Sequence, residues 1–343
     1  MRNIWNATWM ALLLTAAPAF AQDYRIVAMS HTSNGVHDID PATGNIVQEY
    51  RVPGEWFGEP HEGAISPDGK TVYASVPYSK QVIIVDGTTF KLKGKIESPY
   101  FSRPLQTRSF ARIGSRETTS ADPHGLALNN DASKLYISLE FAEVPGVGVY
   151  DVKTGTVTKI ETVVAGNYLQ VQPRTDKLYF PTRNDLVVVI DTKTDKILRA
   201  IPVQGSPNGV DFAPNGEVWV NGNRDGSVSV IDSSKDVVTS VIQTAGKGTG
   251  RIAVSPDGRF VAATYSNTGD AIIIDGRTKE ILATLVTGTG GQGFPLFSPD
   301  SNTLFVMNEG AGDLSSYDMK TMKANPRRTP IGGASFGGGL RKK

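Results

Sequence analysis

The amino-acid sequence predicts an all-β fold built from repeats, and two observations lead to this prediction. An apolar run that ends in aspartate recurs seven times, with the aspartates at Asp40, Asp86, Asp151, Asp191, Asp232, Asp275 and Asp318. The successive spacings are 46, 65, 40, 41, 43 and 43 residues. A period in the low forties made of short β-rich segments is typical of propellers. The sequence therefore predicts a seven-bladed β-propeller of four-stranded antiparallel blades.

The first residues have the features of a secretory signal peptide. Arg2 supplies the positive charge, residues 10–17 form an apolar run, and Ala19–Ala21 gives a small-x-small cleavage site. The apolar run is shorter than the roughly 20 residues that a membrane-spanning helix needs. We therefore expect residues 1–21 to be removed and the protein to be periplasmic, without a membrane span after cleavage. Residues 22–343 are then predicted to form a single domain.

Composition excludes several kinds of function. The chain has no cysteine, so disulfides, thiolate nucleophiles, iron–sulfur clusters and covalent c-type haem are all ruled out. Without residues 1–21, 34 basic and 34 acidic side chains leave no formal net charge. A neutral chain has no general attraction to nucleic acid, which makes nucleic acid an unlikely partner. A small molecule or a partner protein is expected instead.

One repeat shows the predicted blade most clearly. Ser206–Phe212 alternates small or polar residues with apolar ones and is the predicted inner strand. The turn Ala213–Gly216 follows, because proline presets φ and glycine accepts a positive φ. Glu217–Asn221, Ser227–Ile231 and Val237–Val241 are the predicted second, third and outer strands. The third-strand aspartates and the Pro-Asp-Gly aspartates are therefore interpreted as turn residues rather than metal ligands.

The chain ends predict how the ring closes. Six blades contain the whole pattern, but the blade that begins with Tyr24–Met29 has no inner strand before it. The tail segment Pro330–Gly337 has the small and apolar residues of such a strand. We expect the C-terminal segment to pair with the N-terminal strands, which removes two open sheet edges.

Three short motifs carry a resemblance to a known family. They are Val-x-Val-Ile-Asp at Val228–Asp232, Ser-Pro-Asp-Gly at Ser66–Gly69 and Ser255–Gly258, and Leu-Tyr-Ile-Ser at Leu135–Ser138. These motifs resemble the YVTN-type β-propeller repeats of exported bacterial proteins, over essentially all of residues 22–343. Similar rings include virginiamycin B lyase, lactonases and the large subunits of amine dehydrogenases. The resemblance implies the fold and leaves the activity open, because the matching motifs are structural.

Candidate site residues come from the positions that should share one face of the ring. In an up-and-down blade, the start of the inner strand and the end of the second strand open on the same face. We expect these positions to surround the mouth of the central channel and to bind a ligand. The predicted ligand-binding residues are His31, Trp56, Glu62, Glu140, Asn167, Arg183, Asn208 and Asn308, and the predicted catalytic residues are His124, His61 and Arg251.

Two insertions are predicted to lie on this same channel-mouth face. The Asp86–Asp151 spacing is about 22 residues longer than an ordinary repeat of this kind. The excess lies in residues 99–122, which contain four arginines and three aromatic residues: Arg103, Arg108, Arg112, Arg116, Tyr100, Phe101 and Phe110. A shorter insertion at residues 53–60 carries Trp56 and leads into His61. Long loops on a rigid scaffold often carry binding groups, so an ordered lid is expected, and a solvated excursion is the alternative.

The four histidines allow several interpretations. His31, His61 and His124 map to one face on consecutive blades, whereas His37 lies within a predicted strand and is interpreted as structural. A neutral imidazole can bind a metal or act as a general base. His61, His124 and Glu62 form the candidate set for a divalent metal. The alternative is that each histidine only bonds a neighbouring carbonyl.

Three functional hypotheses follow. The first is an exported propeller that binds a small anionic or aromatic ligand at the channel mouth through His61, His124 and loop residues. The second is a lactone hydrolase or lyase with a histidine general base and Arg251 as an anion clamp. The third is a protein-interaction or electron-transfer subunit. The absence of cysteine and of an obvious cofactor motif counts against electron transfer.

Overall fold

The fold is a seven-bladed β-propeller, as the sequence predicts. The computed structural model describes residues 23–343 except for residues 32, 54–59, 102–110, 114–115, 119–121, 141, 143, 163, 289–290 and 333–336. Seven antiparallel sheets lie around a central channel, and each is built from a continuous stretch of chain apart from the first. Among the described residues the single helical element is a 3-10 turn at Pro77–Ser79. None of the described helical structure could cross a membrane.

Each blade has an inner, a second, a third and an outer strand, counted from the channel. For blades 1 to 7 the inner strands are Gly337–Lys342, Gly63–Ile65, Leu126–Leu128, Gln170–Val171, Pro207–Phe212, Ile252–Val254 and Gly293–Phe297. The second strands are Tyr24–Ser30, Thr71–Val76, Lys134–Leu139, Lys177–Thr182, Glu217–Gly222, Phe260–Tyr265 and Thr303–Asn308. The third strands are Gly35–Asp40, Gln81–Asp86, Gly146–Asp151, Leu186–Asp191, Ser227–Asp232, Asp270–Asp275 and Asp313–Asp318.

The outer strands are the most exposed of the four. They are Asn45–Arg51, Leu92–Glu97, Val157–Glu161, Lys196–Pro202, Val237–Gln243 and Ile281–Val286, with Lys323–Ala324 and Thr329–Pro330 sharing this position in blade 7. A separate two-stranded hairpin, Ala111–Ile113 with Arg116–Thr118, lies within the long insertion. The buried hydrophobic side chains pack between neighbouring blades: one cluster joins blades 3 and 4, and another joins blades 5 and 6.

The ring closes through the two chain ends, and this confirms the predicted closure. The C-terminal strand pairs with the N-terminal strand in the register Tyr24↔Lys342 to Met29↔Gly337. The predicted position of that strand, residues 330–337, is wrong: the strand is Gly337–Lys342, and Thr329–Pro330 pairs with the third strand of blade 7. Three successive glycines begin this strand because its surroundings leave no room. A Cβ on Gly338 would lie 2.4 Å from the carbonyl oxygen of Val27.

The aspartates that end the third strands are turn residues, as predicted. Asp151 is typical: its Oδ1 accepts the backbone N–H groups of Lys153 at 3.0 Å and Thr154 at 2.7 Å. These bonds stabilise the carboxylate and lower the pKa of Asp151. In every blade the same turn also contains one residue with a positive φ, and these residues are Gly44, Phe90, Gly155, Asp195, Asp236, Lys279 and Met322.

Several of these positive-φ residues bind the preceding blade. Asp236 of blade 5 accepts hydrogen bonds from two blade 4 residues, Lys177 Nζ at 2.7 Å and Tyr179 OH at 3.0 Å. Asp195 of blade 4 repeats this arrangement on the corresponding lysine and tyrosine of blade 3. In the next pair the charges are reversed, since Lys279 of blade 6 binds Glu217 of blade 5 at 2.5 Å. The turn therefore acts as a lock between blades.

Candidate functional site

One residue near the beginning of each inner strand lies at the same level of the channel. We call these seven residues the channel belt. They are Gly337, Glu62, Gly125, Tyr168, Gly209, Arg251 and Phe294 for blades 1 to 7. Three are glycines packed against neighbouring backbone, and four carry large side chains. A Cβ on Gly337 would lie 2.7 Å from Glu62 Oε2, so this glycine makes room for the glutamate.

The two charged residues of the channel belt form an ion pair across the ring. Arg251 Nη2 of blade 6 lies 2.5 Å from Glu62 Oε1 of blade 2, and both side chains are only 2% exposed. Burial raises the pKa of Glu62 to about 6, although the neighbouring Arg251 opposes this rise. The pair brings together one predicted catalytic residue and one predicted ligand-binding residue. Because Glu62 and Arg251 neutralise each other, neither has a free charge for a ligand.

Arg251 makes further contacts with blade 4. Its guanidinium carbon lies 4.8 Å from the ring centroid of Tyr168, which is a cation–π geometry. The Tyr168 ring in turn meets Phe294 edge-on, with centroids 6.5 Å apart. Burial, and next the charge of Glu62, raise the pKa of the Tyr168 hydroxyl. The four large side chains of the channel belt thus contact one another across the channel.

Three of the four histidines meet at the mouth of the channel, where the sequence predicts them. The ring centroids of His61 and His124 are 3.9 Å apart with a tilt of 38°, and those of His31 and His61 are 4.8 Å apart with a tilt of 56°. They come from blades 1, 2 and 3. We call His31, His61 and His124 the histidine cluster. His37 lies elsewhere, within a third strand, with its ring nitrogens beside Glu49 and Ser33.

Burial keeps the histidine cluster neutral. It lowers the pKa of His31 to about 3, and the nearby His124 adds to this effect. It also lowers the pKa of His124 to about 3, with further contributions from the charges of Arg251 and Arg183, while Asn167 opposes the shift. The pKa of His61 is likewise held well below its usual range, first by burial and then by His124. At neutral pH the cluster therefore offers three uncharged imidazoles.

Asn167 connects the histidine cluster to both nearby ion pairs. Its Nδ2 donates to His124 Nδ1 and, at 3.0 Å, to Glu140 Oε2. Its Oδ1 accepts a hydrogen bond from Arg251 Nη2 at 3.2 Å. Glu140 is buried and paired with Arg183 Nη2, whose side chain remains 59% exposed. Burial raises the pKa of Glu140, and Arg183 opposes that rise most strongly.

Two predicted site residues have other hydrogen-bond partners. Asn208 donates from Nδ2 to the carbonyl oxygen of Gly250 at 2.9 Å, which joins blade 5 to blade 6. Asn308 donates to Asp313 Oδ1 at 2.8 Å and to Ser315 Oγ at 3.1 Å within blade 7. These contacts give both residues a role in holding strands together. Their proposed contact with a ligand stays a prediction.

Other predicted features lie outside the described residues. Trp56 is among them, as are most of the residues of the long insertion, so the predicted lid stays a prediction. The metal interpretation gains no geometric support. In the part of the chain that the structure describes, no three His, Asp or Glu side chains are arranged to hold a metal ion. His61 Nδ1 lies 4.0 Å from Glu62 Oε1, and Arg251 already occupies that oxygen.

Asp122 is a supporting residue that the sequence pattern alone does not single out. Its Oδ1 accepts the backbone N–H of Glu140 at 2.8 Å, and its side chain is fully buried. The sequence pattern identifies this residue only as the end of the long insertion, residues 99–122. The signal available in the sequence was its position two residues before His124 in the run Asp122-Pro123-His124. This carboxylate therefore helps to fix the end of the second strand beside the site.

Comparisons with known proteins support the fold. The chain is similar to hydrazine synthase from Kuenenia stuttgartiensis, with a TM-score of 0.67 and 18% sequence identity, over 85% of this chain and 92% of that one. It is also similar to a functionally unknown protein from Desulfotomaculum acetoxidans DSM 771, with a TM-score of 0.72 and 11% identity, over 94% and 99% of the two chains. At these identities the likeness shows the fold alone. No protein-family model and no curated protein matches the chain.

Proposed function

We propose that this chain is an exported propeller of the YVTN type that binds a small aromatic ligand at the channel mouth. The observation that carries the proposal is the histidine cluster: three neutral imidazoles from three blades, with successive centroids 3.9 and 4.8 Å apart. Aromatic rings pack favourably in offset or tilted arrangements at such distances. Because the imidazoles are uncharged, covering them with a ligand carries no cost of burying a charge.

An exposed charge among the described residues suggests what else the ligand carries. Arg183 is 59% exposed and lies beside Glu140 and the histidine cluster. Both arginines are paired with a glutamate, but Arg251, which the sequence predicts as an anion clamp, is only 2% exposed, whereas the side chain of Arg183 stays largely accessible. An aromatic carboxylate would therefore place its ring on the histidine cluster and its carboxylate towards Arg183. Guanidinium groups favour carboxylates through paired hydrogen bonds.

A binding role is better supported than the hydrolase or lyase alternative. A general base works best when its pKa lies near the working pH. His124 has a pKa of about 3, so it would be a weak base in the free protein. A lactone hydrolase or lyase would need the substrate to raise that pKa. The likeness to hydrazine synthase concerns the fold alone. It therefore gives no support to the alternative of a protein-interaction or electron-transfer subunit.

Thermal shift and calorimetry on the chain from residue 22 test the proposal. The probes are benzoate, benzyl alcohol and acetate at pH 7.5. We expect benzoate to bind best, benzyl alcohol more weakly and acetate not at all. His61→Gln and His124→Gln should lose benzoate binding, whereas the control Arg277→Gln, an exposed change in a third-strand turn on the other face, should keep it. If both histidine variants bound benzoate as tightly as the wild type does, the proposal would be contradicted.

A further inference from the structure

A cavity lies at the end of the channel opposite the histidine cluster. It has a volume of about 470 Å³ and is bordered by the inner strands of blades 1 to 4. Its lining begins directly after Glu62, so the cavity lies on the Pro-Asp-Gly side of the channel belt. Apolar side chains such as Leu128 and Leu340 line it together with the side-chain amide of Gln170. The described residues that line this cavity carry no charge.

Blade 5 shows what a side chain at this level of the channel can bind. Asp211 Oδ2 accepts the backbone N–H of Val254 on blade 6 at 2.7 Å, and its Oδ1 accepts the N–H of Phe212 at 2.9 Å. The N–H of Val254 points away from its own sheet, because Ser255 makes the ladder bond, to the carbonyl oxygen of Phe260 at 2.8 Å, and ladder bonds alternate along an antiparallel strand. A backbone donor at this level is therefore bound by the preceding blade.

In blades 1 and 2 the residue at the position of Asp211 is too small to make such a bond. The strand register places Gly339 and Ala64 there, and the corresponding donors belong to Ile65 and Leu128 of the following blades. A Cβ on Gly339 would lie 3.1 Å from Ile65 Cδ1, so this position faces the next blade as Asp211 does. The residue after each donor makes the ladder bond here too. The N–H groups of Ile65 and Leu128 therefore face the cavity.

These donors lie beside acceptors, which determines the class of ligand. The N–H and C=O groups of one residue in an antiparallel strand point to the same side, so the carbonyl oxygens of Ile65 and Leu128 also point away from their own sheets. An amide group matches both, since its oxygen accepts and its nitrogen donates. A carboxylate offers no donor, and its charge would be buried without a charged partner in the lining. Asp211 shows this cost, since burial raises its pKa to about 6 although two backbone N–H groups oppose the rise.

We propose that this cavity is a further ligand site, which takes a small uncharged aliphatic amide. The amide group binds the backbone of Ile65 and Leu128, and the aliphatic chain packs against the side chains of Leu128 and Leu340. The site lies beyond the channel belt and uses none of the histidine cluster. It therefore goes beyond the proposed function, and either site can exist without the other.

Amide NMR of the protein labelled with nitrogen-15 at isoleucine, leucine and valine tests the site, with pentanamide as the probe. We expect the N–H signals of Ile65 and Leu128 to move together and saturate. The N–H signal of Val254 should stay in place, because Asp211 already binds that group. The variants Ile65→Val, Leu128→Met and Val254→Ile assign the three signals. Pentanoate at pH 7.5 should bind about tenfold more weakly than pentanamide.

Ala64→Asn restores a side-chain acceptor at the position of Asp211, so it should take the N–H of Leu128 and remove pentanamide binding. The control Ala253→Asn makes the same change at the same level of blade 6, outside the cavity lining, and should keep it. Unmoved Ile65 and Leu128 signals in the wild type would overturn the proposal. Equal binding of pentanoate, or full binding by folded Ala64→Asn, would do the same. If Ala64→Asn does not fold, the wild-type signals and the comparison with pentanoate decide. A failure of benzoate to bind would count against the proposed function and leave this result standing.

Discussion

The ring of His61 lies 3.9 Å, centroid to centroid, from the ring of His124 on the next blade. Two protonated imidazoles at this distance would repel each other, and both are buried as well. His124 therefore adds to the lowering of the His61 pKa that burial causes, and both imidazoles stay uncharged at neutral pH. The site gains a neutral aromatic surface, and the folded protein gains a sensitivity to acid.

That sensitivity gives a pH dependence of stability with a definite sign. His124 has a pKa of about 3 in the folded protein and about 6.5 when unfolded. Between these values the unfolded chain binds the extra proton, so the free energy of unfolding falls as the pH is lowered from 6.5 towards 3. Denaturant titrations at pH 4.5, 5.5, 6.5 and 7.5 should show this fall, and it should be smaller in His124→Gln. An equally steep fall in that variant would contradict the assigned cause.

Glu62 should have the opposite effect on the pH dependence of stability, over a narrower range of pH. Its pKa is raised from 4.5 to about 6, so the folded state binds the proton more tightly than the unfolded state. Its contribution to stability is present below pH 4.5 and is lost as the pH rises to 6. We expect the acid dependence of Glu62→Gln to be steeper between pH 4.5 and 6 than that of the wild type, in the same titrations.

The ion pair between Glu62 and Arg251 should be costly to break from one side. Arg251→Met leaves a buried carboxylate without its partner, and such changes cost about 3–5 kcal/mol. The double variant Arg251→Met/Glu62→Leu should recover much of that loss, because no charge then remains buried. Urea unfolding of Arg251→Met, Glu62→Leu and the double variant measures the coupling energy between the two residues. Additive losses would show that the two residues do not stabilise each other.

The locks between blades give a comparison between a partly buried and an exposed ion pair. Asp236→Ala removes the contacts with Lys177 and Tyr179, and we expect it to cost about 1–3 kcal/mol because partly buried donors lose their acceptor. The control is Asp176→Ala, which breaks an exposed pair with Lys193 and should change the stability little. Thermal unfolding of both variants compares the two. Equal losses of stability in the two variants would contradict the stabilising role assigned to Asp236.

The repeat in the sequence was sufficient to predict the blades, because strand and turn signals are local. The third-strand aspartates and the alternation around Val210 could be recognised without knowing any contact. The placement of His61 and His124 on one face also followed from counting positions within the repeat. Their direct contact depends on the twist and spacing of the blades, which the pattern alone does not supply.

Features that depend on ring closure were harder to predict. Arg251 and Glu62 are 189 residues apart in sequence, and they meet only because the ring is closed and glycines occupy three positions of the channel belt. The predicted C-terminal strand lies too early in the chain, because Gly337–Gly339 have no side chains whose alternation could mark a strand, although their backbone pairs with Val27–Met29. The sequence therefore predicts which residues lie together at the channel mouth and leaves their charge pairing undetermined.

The most direct test of the account follows the four histidine rings by NMR while benzoate is added at pH 7.5. His37 is an internal control, since it lies in a strand of blade 1 with Glu49 and Ser33 as its partners. We expect the ring signals of His31, His61 and His124 to shift together and to saturate with one affinity, while those of His37 stay in place. Binding of benzoate that leaves these three rings unshifted, or that shifts His37 equally, would contradict it.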